Sequence, residues 1–198
     1  VTGSVTKTNP AAIARYENVA ALGLGDQWQS PPICAPETRV PVGEYAPAFV
    51  LPRCDRGYLG LAELIGRPSV IHFYSGTGAS WFEQSACLNA LAPTLGVLGV
   101  ALVGIICAQQ AVVADHCKVT LTDFPVLSDW EPRGLVSRLY GFNLNRAAPN
   151  LASTYLIDGH GVVRWIRYGV EAADVDSATI IAAARSHLSR QKPLGPTD

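Results

Sequence analysis

The chain has no methionine, only three lysines, no Cys-x-x-Cys pair and no apolar run long enough to cross a bilayer. The missing methionine excludes nothing. The scarcity of lysine, with a formal net charge of -1, leaves no basic stripe, and this excludes nucleic acid as an expected partner. The longest apolar run, Val97 to Cys107, contains Gly99 and Gly104 and is far shorter than a membrane span, so it reads as a buried strand with its approach. No charged stretch followed by an apolar core opens the chain, so no signal peptide is expected. The cysteines, Cys34, Cys54, Cys87, Cys107 and Cys117, are odd in number and irregular in spacing. That does not suit a disulfide framework in a chain of this size and points to a reducing, cytoplasmic setting. Without Cys-x-x-Cys, dithiol exchange through that pair is excluded. His116 beside Cys117 lacks the further ligands that zinc requires, so no metal or other cofactor is expected. No internal repeat or low-complexity tract is present.

What is there suits one domain with an appendage: 198 residues, 48% of them hydrophobic. Residues 1–41 differ in character from the rest. Pro10 can open a helix carrying Ile13, Tyr16, Val19, Ala20 and Leu22, and a proline-rich extended arm follows it to Pro41. The helix could fold back on its own domain or dock on another subunit, since its apolar stripe must be buried somewhere. The stretch from Ser69 to Leu95 organises the remainder. Val70 to Tyr74 predicts a buried strand, a Ser/Gly-rich turn follows, and Phe82, Leu88, Leu91 and Leu95 are assigned to one face of a helix. Pro93 is expected to kink that helix and Gly99 to end it. Val100 to Ile106 predicts a strand parallel to the first by the right-handed crossover rule, and Ala108 to Cys117 a helix. Pro132 to Tyr140 predicts a helix closed by Gly141. Ser153 to Asp158 and Val162 to Tyr168 flank Gly159-His160-Gly161 as a hairpin. Asp174 or Asp176 can cap a last helix carrying Ile180, Ala184 and Leu188. The domain is expected to span 42–190, with 191–198 as a tail.

Several segments resemble one family. Gly43-Glu44-Tyr45-Ala46-Pro47-Ala48-Phe49-Val50-Leu51 is similar to the opening of the peroxiredoxins, the alkyl hydroperoxide reductase/thiol-specific antioxidant (redoxin) family. Phe124-Pro125-Val126-Leu127-Ser128-Asp129 resembles a later strand and its Asp turn. The resemblance covers about Val42 to Leu188. It implies an α/β, thioredoxin-like fold of three layers, α/β/α, around a central mixed sheet, here with an N-terminal extension.

The family's active-site pattern is aromatic-aromatic-Pro, three residues, Thr, two residues, then the peroxidatic Cys. Laid on Phe73-Tyr74, it places Ser75 at the Pro, Ala79 at the Thr and Phe82 at the Cys. Counted back from Thr154-Tyr155-Leu156-Ile157-Asp158, the family's arginine falls on Ala152. Peroxide reduction needs a thiolate, a hydroxyl that orients the peroxide and a cation that holds the developing charge. At these four positions the resemblance implies that all are missing.

What remains is Cys87, which lies five residues beyond Phe82, as the resolving Cys does in the bacterioferritin-comigratory type. Packed against the sheet it is a small buried hydrophobe; accessible, it would be a reactive thiol. Cys107 and Cys117 are a candidate redox pair, with a core role the alternative for Cys107. Cys34 and Cys54 fall in loops. His72 reads as a hydrogen-bonded core histidine and His160 as a turn residue. Two classes of function follow. One is a non-catalytic, peroxiredoxin-like binding or structural subunit with an interface around Trp81 and Phe82, whose partner is another protein or a second copy. The other is a divergent thiol peroxidase or thiol-disulfide oxidoreductase using Cys87, with a redox sensor as a weaker variant.

Overall fold

Alternating apolar residues on the two central strands decide how this chain layers. In the computed structural model, which describes residues 40–75, 79–141, 151–171 and 175–191, the elements in chain order begin with β1 (Val50–Pro52), β2 (Tyr58–Gly60) and α1 (Leu61–Leu64). Next come β3 (Ser69–Phe73), α2 (Ala79–Val97), β4 (Ala101–Ile106) and α3 (Gln110–Thr120). The chain continues with β5 (Val126–Ser128), α4 (Leu135–Leu139), β6 (Leu151–Ile157), β7 (Val163–Glu171) and α5 (Ser177–Gln191). The helix expected near Pro10, Cys34, Asp174 and residues 192–198 lie outside the described residues.

The main sheet has the order β5-β4-β3-β6-β7, and β1 and β2 form a separate antiparallel pair. β3 runs parallel to β4, from Ser69 opposite Ala101 to Phe73 opposite Ile105, and antiparallel to β6, from Ser69 opposite Ile157 to Phe73 opposite Ser153. The sheet is therefore mixed, as expected. Every residue of β3 and β4 is buried. Their side chains point alternately to two faces. Ile71, Phe73, Val103 and Ile105 join Phe49, Leu51, Leu64, Tyr140 and Tyr155 on one side. Val70, Tyr74, Leu102 and Ile106 join Leu88, Leu91, Leu95, Val113 and Ile180 on the other. The first face is thus covered by the β1–β2 hairpin, α1 and α4, and the second by α2, α3 and α5.

Local chemistry sets the element ends. Gly99, at φ +71°, ends α2, with Val100 N–H donating to Leu95 O at 2.9 Å. The buried Asp129 carboxylate accepts from Val136 N–H at 3.1 Å and from Ser137 N–H at 2.7 Å, capping α4. Asp176 caps α5 through Ala178 N–H at 2.9 Å. At the hairpin between β6 and β7, Asp158 accepts from the backbone N–H groups of His160 and Val162 at 2.8 and 2.9 Å.

Helix α2 contains Pro93 and runs from Ala79 to Val97. The ring faces solvent, and Leu98 N–H still bonds to Thr94 O at 3.2 Å, so the ladder resumes past it. Phe82 is not on the inward face with Leu88, Leu91 and Leu95, but 45% exposed. A helix turns about 100° per residue, so Phe82 stands about 120° round from Leu88. The residues that continue the buried stripe towards the amino end are Gln84 and Ser85, both fully buried.

Gly104 in β4 leaves the space that Tyr74 fills: a Cβ built there would lie 2.8 Å from Tyr74 Cε2 and 3.4 Å from Val126 Cγ2. Gly104→Ala is expected to lose about 1–3 kcal/mol through overpacking, measured as a lower urea midpoint. An unchanged midpoint would show that Tyr74 can move aside freely.

Candidate functional site

The carboxyl end of β3 meets the amino end of α2, and here an apolar helix places two polar side chains on its buried face. Gln84 has no water to bond, so each polar atom must find a protein partner. Its Nε2 donates to Ser75 O at 3.0 Å and to Ser80 O at 2.8 Å. Its Oε1 accepts from Ser75 N–H at 3.2 Å and from His72 Nε2 at 3.1 Å. The two carbonyl acceptors fix which end of the carboxamide is the amide nitrogen, and that in turn makes His72 the Nε2–H tautomer. His72 Nδ1 is then left to accept from Thr154 Oγ1, 2.9 Å away on β6. Burial lowers the His72 pKa to about 4 against the opposing hydrogen bond to Gln84, so the ring is neutral at physiological pH. This is the core histidine expected from the sequence, now joined to the site by Gln84.

Ser85 organises a second set. Its Oγ lies 3.0 Å from Tyr74 Oη and 2.8 Å from His116 Nε2, so residues of β3's end, α2 and α3 form one hydrogen-bonded chain. Burial raises the Tyr74 pKa and lowers that of His116, keeping both neutral. Although a serine hydroxyl beside an imidazole is the pairing that activates nucleophiles, Ser85 is wholly buried and Tyr74 occupies its other side. No substrate can reach it. The His116 ring is packed edge-on by Phe82, Trp81 and Tyr74, with centroids 5.1, 5.8 and 6.2 Å away. Trp81 is half-buried and Phe82 exposed, so the rim of the site is aromatic.

The four positions singled out in the sequence lie at this edge. Ser75 is buried, and its hydroxyl has no hydrogen-bond partner among the described residues. Ala79 begins α2, and Phe82 stands in its first turn. Ala152, buried in β6, sits one residue outside the Phe73–Ser153 pair, at the same end of the sheet. None of the residues from Ser75 to Ala86 is a cysteine. Among the described residues, no group of three or more His, Cys, Asp and Glu side chains could hold a metal ion.

The cysteines are dispersed. Cys87, half-buried on α2, packs against the apolar cluster of the helical face. The candidate pair Cys107 and Cys117 is not brought together. Cys107, just past β4, lies among Asp129, Arg133 and Arg138, and burial with the Asp129 charge pushes its pKa up to about 11. Cys117 and Cys54 both pack in the apolar cluster of the helical face. The turn after β1 is carried back to β5 by an isolated bridge between Arg53 and Leu127, and to α3 by Gln110 Nε2, which donates to Arg53 O. Gln84 and Ser85 are the residues that sequence reasoning missed. The signal was available: polar residues at positions 84 and 85 continue the Leu88-Leu91-Leu95 spacing.

Among the described residues no helix is long and apolar enough to cross a membrane. Comparison with known proteins bears on the same region. The profile of the AhpC/TSA family matches residues 42–166. A protein of Mycobacterium tuberculosis whose name places it among the peroxiredoxins is 28% identical over 145 residues, covering 68% of this chain and 89% of that one. Peroxidoxin BcpB, also of Mycobacterium tuberculosis, has a solved structure similar at a TM-score of 0.62 and 22% identity, over 73% of this chain and 96% of its own. A PrxQ mutant of Xylella fastidiosa gives 0.68 at 13% identity, over 76% and 99%. At such identities the structural likeness carries the fold.

Proposed function

This chain belongs to the AhpC/TSA family, with its peroxiredoxin-like, thioredoxin-like fold, and we propose that it serves as a non-catalytic binding or structural subunit rather than as a peroxide reductase. The observation that carries this reading is Phe82. It occupies the place of the family pattern's peroxidatic Cys, in the first turn of α2, where a thiol would gain most from the helix dipole. A phenyl ring cannot attack an oxygen. Ala152, in place of the family's arginine, brings no cation to hold a developing charge. Gln84 also takes the Ser75 N–H at the helix entrance, a donor that could otherwise have stabilised an anion. What the site offers instead is apolar surface: Phe82 exposed, with Trp81 beside it, both seated on His116. An exposed aromatic next to a half-buried one suits the anchor of a contact with another chain. The alternative enzyme, working through Cys87, gains no support from a thiol packed against the apolar cluster.

Two measurements test the reading together. Hydroperoxide consumption with dithiothreitol or thioredoxin as reductant is expected at background in the wild-type chain and equally in Cys87→Ser. A rate well above background that Cys87→Ser abolishes would overturn it in favour of the enzyme. By light scattering the purified protein is expected above its 21.0 kDa chain mass, or with a co-eluting partner, and Phe82→Glu is expected to return it to the single chain. A strict monomer with no partner would sink the binding role.

A further inference from the structure

Helix α2 is apolar on the side that faces away from the sheet as well as on the side that packs against it. Its only charged residue is Glu83. Phe82, Ala86, Ala90, Pro93 and Val97 are all exposed, Phe82 at 45% and Val97 at 89%. At about 100° per residue these five fall within an arc of about 80°, diametrically opposite the buried row of Leu88, Leu91 and Leu95. A helix that is apolar all round is ordinarily covered on every side, and α2 is not long and apolar enough to cross a membrane. Helix α3 widens the surface. It lies alongside α2, with His116 against Phe82 and Thr120 O accepting from Asn89 Nδ2 at 2.9 Å. Val112 and Val119 stand about 40° and 60° round α3 from His116, turned the same way, and both are exposed. Leu121, just past the end of α3, is 82% exposed. The charged residues of α3, Asp115 and Lys118, sit farther round and bond to each other at 2.9 Å.

We propose that this two-helix face is a site of self-association, on which a second copy of the chain docks with α2 antiparallel to α2 about a two-fold axis at Ala90. The proposal rests on the binding reading of Phe82 and names its partner. The spacing favours a second copy. Reversed, the row overlays itself: Phe82 faces Val97 of the second copy, Ala86 faces Pro93 and Ala90 faces Ala90. A partner of another sequence would not require the row to match its own reverse. The bulky residues fall at the two ends, and the small ones at the centre let the helix axes approach to about 8–10 Å. The charge pattern permits the same pairing. The two Glu83 carboxylates come to lie at opposite ends, about 20 Å apart along the pair, well beyond the screening length of about 8 Å at physiological salt.

The extent of the face sets how tight the contact is. The row from Phe82 to Val97 rises about 22 Å, and a strip of helix width, about 10 Å, covers about 220 Å². The flank of α3 brings this to about 450 Å² on each copy, against the roughly 800 Å² a side of a stable complex. The pair therefore belongs to the weak class, just below the total of about 1,000 Å² expected of a durable interface. It forms and separates with concentration, in the micromolar range or above.

The test is sedimentation equilibrium of the full chain with dithiothreitol present, so that no disulfide links the copies. The weight-average mass of the wild type is expected to rise from the 21.0 kDa of one chain towards twice that value between about 1 and 500 μM. Ala90→Lys and Ala90→Glu each set like charges face to face at the axis, and each is expected to weaken self-association by about tenfold or more. An equimolar mixture of the two is expected to recover it, because lysine then meets glutamate, and that recovery also shows both variants folded. Tyr58→Lys, which removes an exposed aromatic on the opposite layer, is expected to leave the dimer unchanged. A wild type that stays at the mass of one chain, Ala90 variants that associate like the wild type, a mixture that stays monomeric, or loss of the dimer in Tyr58→Lys would each overturn the proposal. A single chain that co-elutes with a different protein, lost in Phe82→Glu, would overturn the second copy and leave the binding role of Phe82 intact. Hydroperoxide turnover that Cys87→Ser abolishes would overturn the non-catalytic reading and leave the dimer standing.

Discussion

Replacing Gln84 with leucine is expected to destabilise the protein by about 3–5 kcal/mol, far more than a similarly sized substitution on the outer face of α2. Leucine matches the volume but makes none of the hydrogen bonds. His72 Nε2–H, Ser75 N–H and the carbonyls of Ser75 and Ser80 all lose a partner. Each group stranded in the interior costs about 1–3 kcal/mol, and the part-buried Ser80 carbonyl recovers some of this from water. Glutamate is a sharper probe. Its carboxylate can still accept from His72 and Ser75, but it faces two carbonyl oxygens where an amide nitrogen donated. Gln84→Glu is therefore expected to be costly at pH 7 and to recover part of the loss when protonated. The measurement is urea unfolding, with a fall in midpoint at unchanged slope. A loss under about 1 kcal/mol in Gln84→Leu would mean that the two strand and helix ends are held by something else.

Acid should weaken the fold through His72. In the unfolded chain the imidazole has its ordinary pKa of 6.5; in the fold burial takes it to about 4. Between those values the unfolded chain binds a proton that the folded chain refuses. Stability therefore falls as the pH is lowered through this window, and the full contribution is present only above pH 6.5. A difference of this size amounts to about 3 kcal/mol. His116, also shifted down by burial, acts in the same direction. The check is the difference in unfolding free energy between pH 7 and pH 4.5, in the wild type and in His72→Asn. The wild type is expected to lose most of the 3 kcal/mol and the variant to lack that share of the slope. Equal pH dependence in the two would show that the folded ring takes up its proton as easily as the unfolded one.

Most of the architecture could be read from periodicity. Val70 to Tyr74 and Val100 to Ile106 are apolar on both faces because both are buried on both faces; the first is offset from β3 by one residue at each end and the second exceeds β4 by one residue at its start. Gly159-His160-Gly161 between two β-branched, aromatic runs fixed the antiparallel pair of β6 and β7. Of the two cap candidates, Asp174 and Asp176, it is Asp176 whose carboxylate accepts from two helix N–H groups, while Asp174 lies outside the described residues. The site was harder. Apolarity alone groups Phe82 with the leucines, but its angular position turns it off their face, which Gln84 and Ser85 occupy instead. The return of the Cys54 turn to the main sheet could not be read from spacing. It depends on a bridge between Arg53 and Leu127, residues that only the tertiary fold makes neighbours.

The two borders of the main sheet carry a consequence for how this chain behaves in a crowd. β5 is a border strand, and the segment at Arg53 and Cys54 already occupies backbone groups of Val126 and Leu127. At the other border, Gly43 N–H and Glu44 O are bonded to Val163, and Tyr45 bridges to Val162, closing off the beginning of β7. Further along that strand stand Arg164 and Arg167, and cationic side chains on a border discourage another strand from adding on. Runaway stacking of one copy onto the next through strand extension, the usual route to fibrils, is blocked at one margin and penalised at the other.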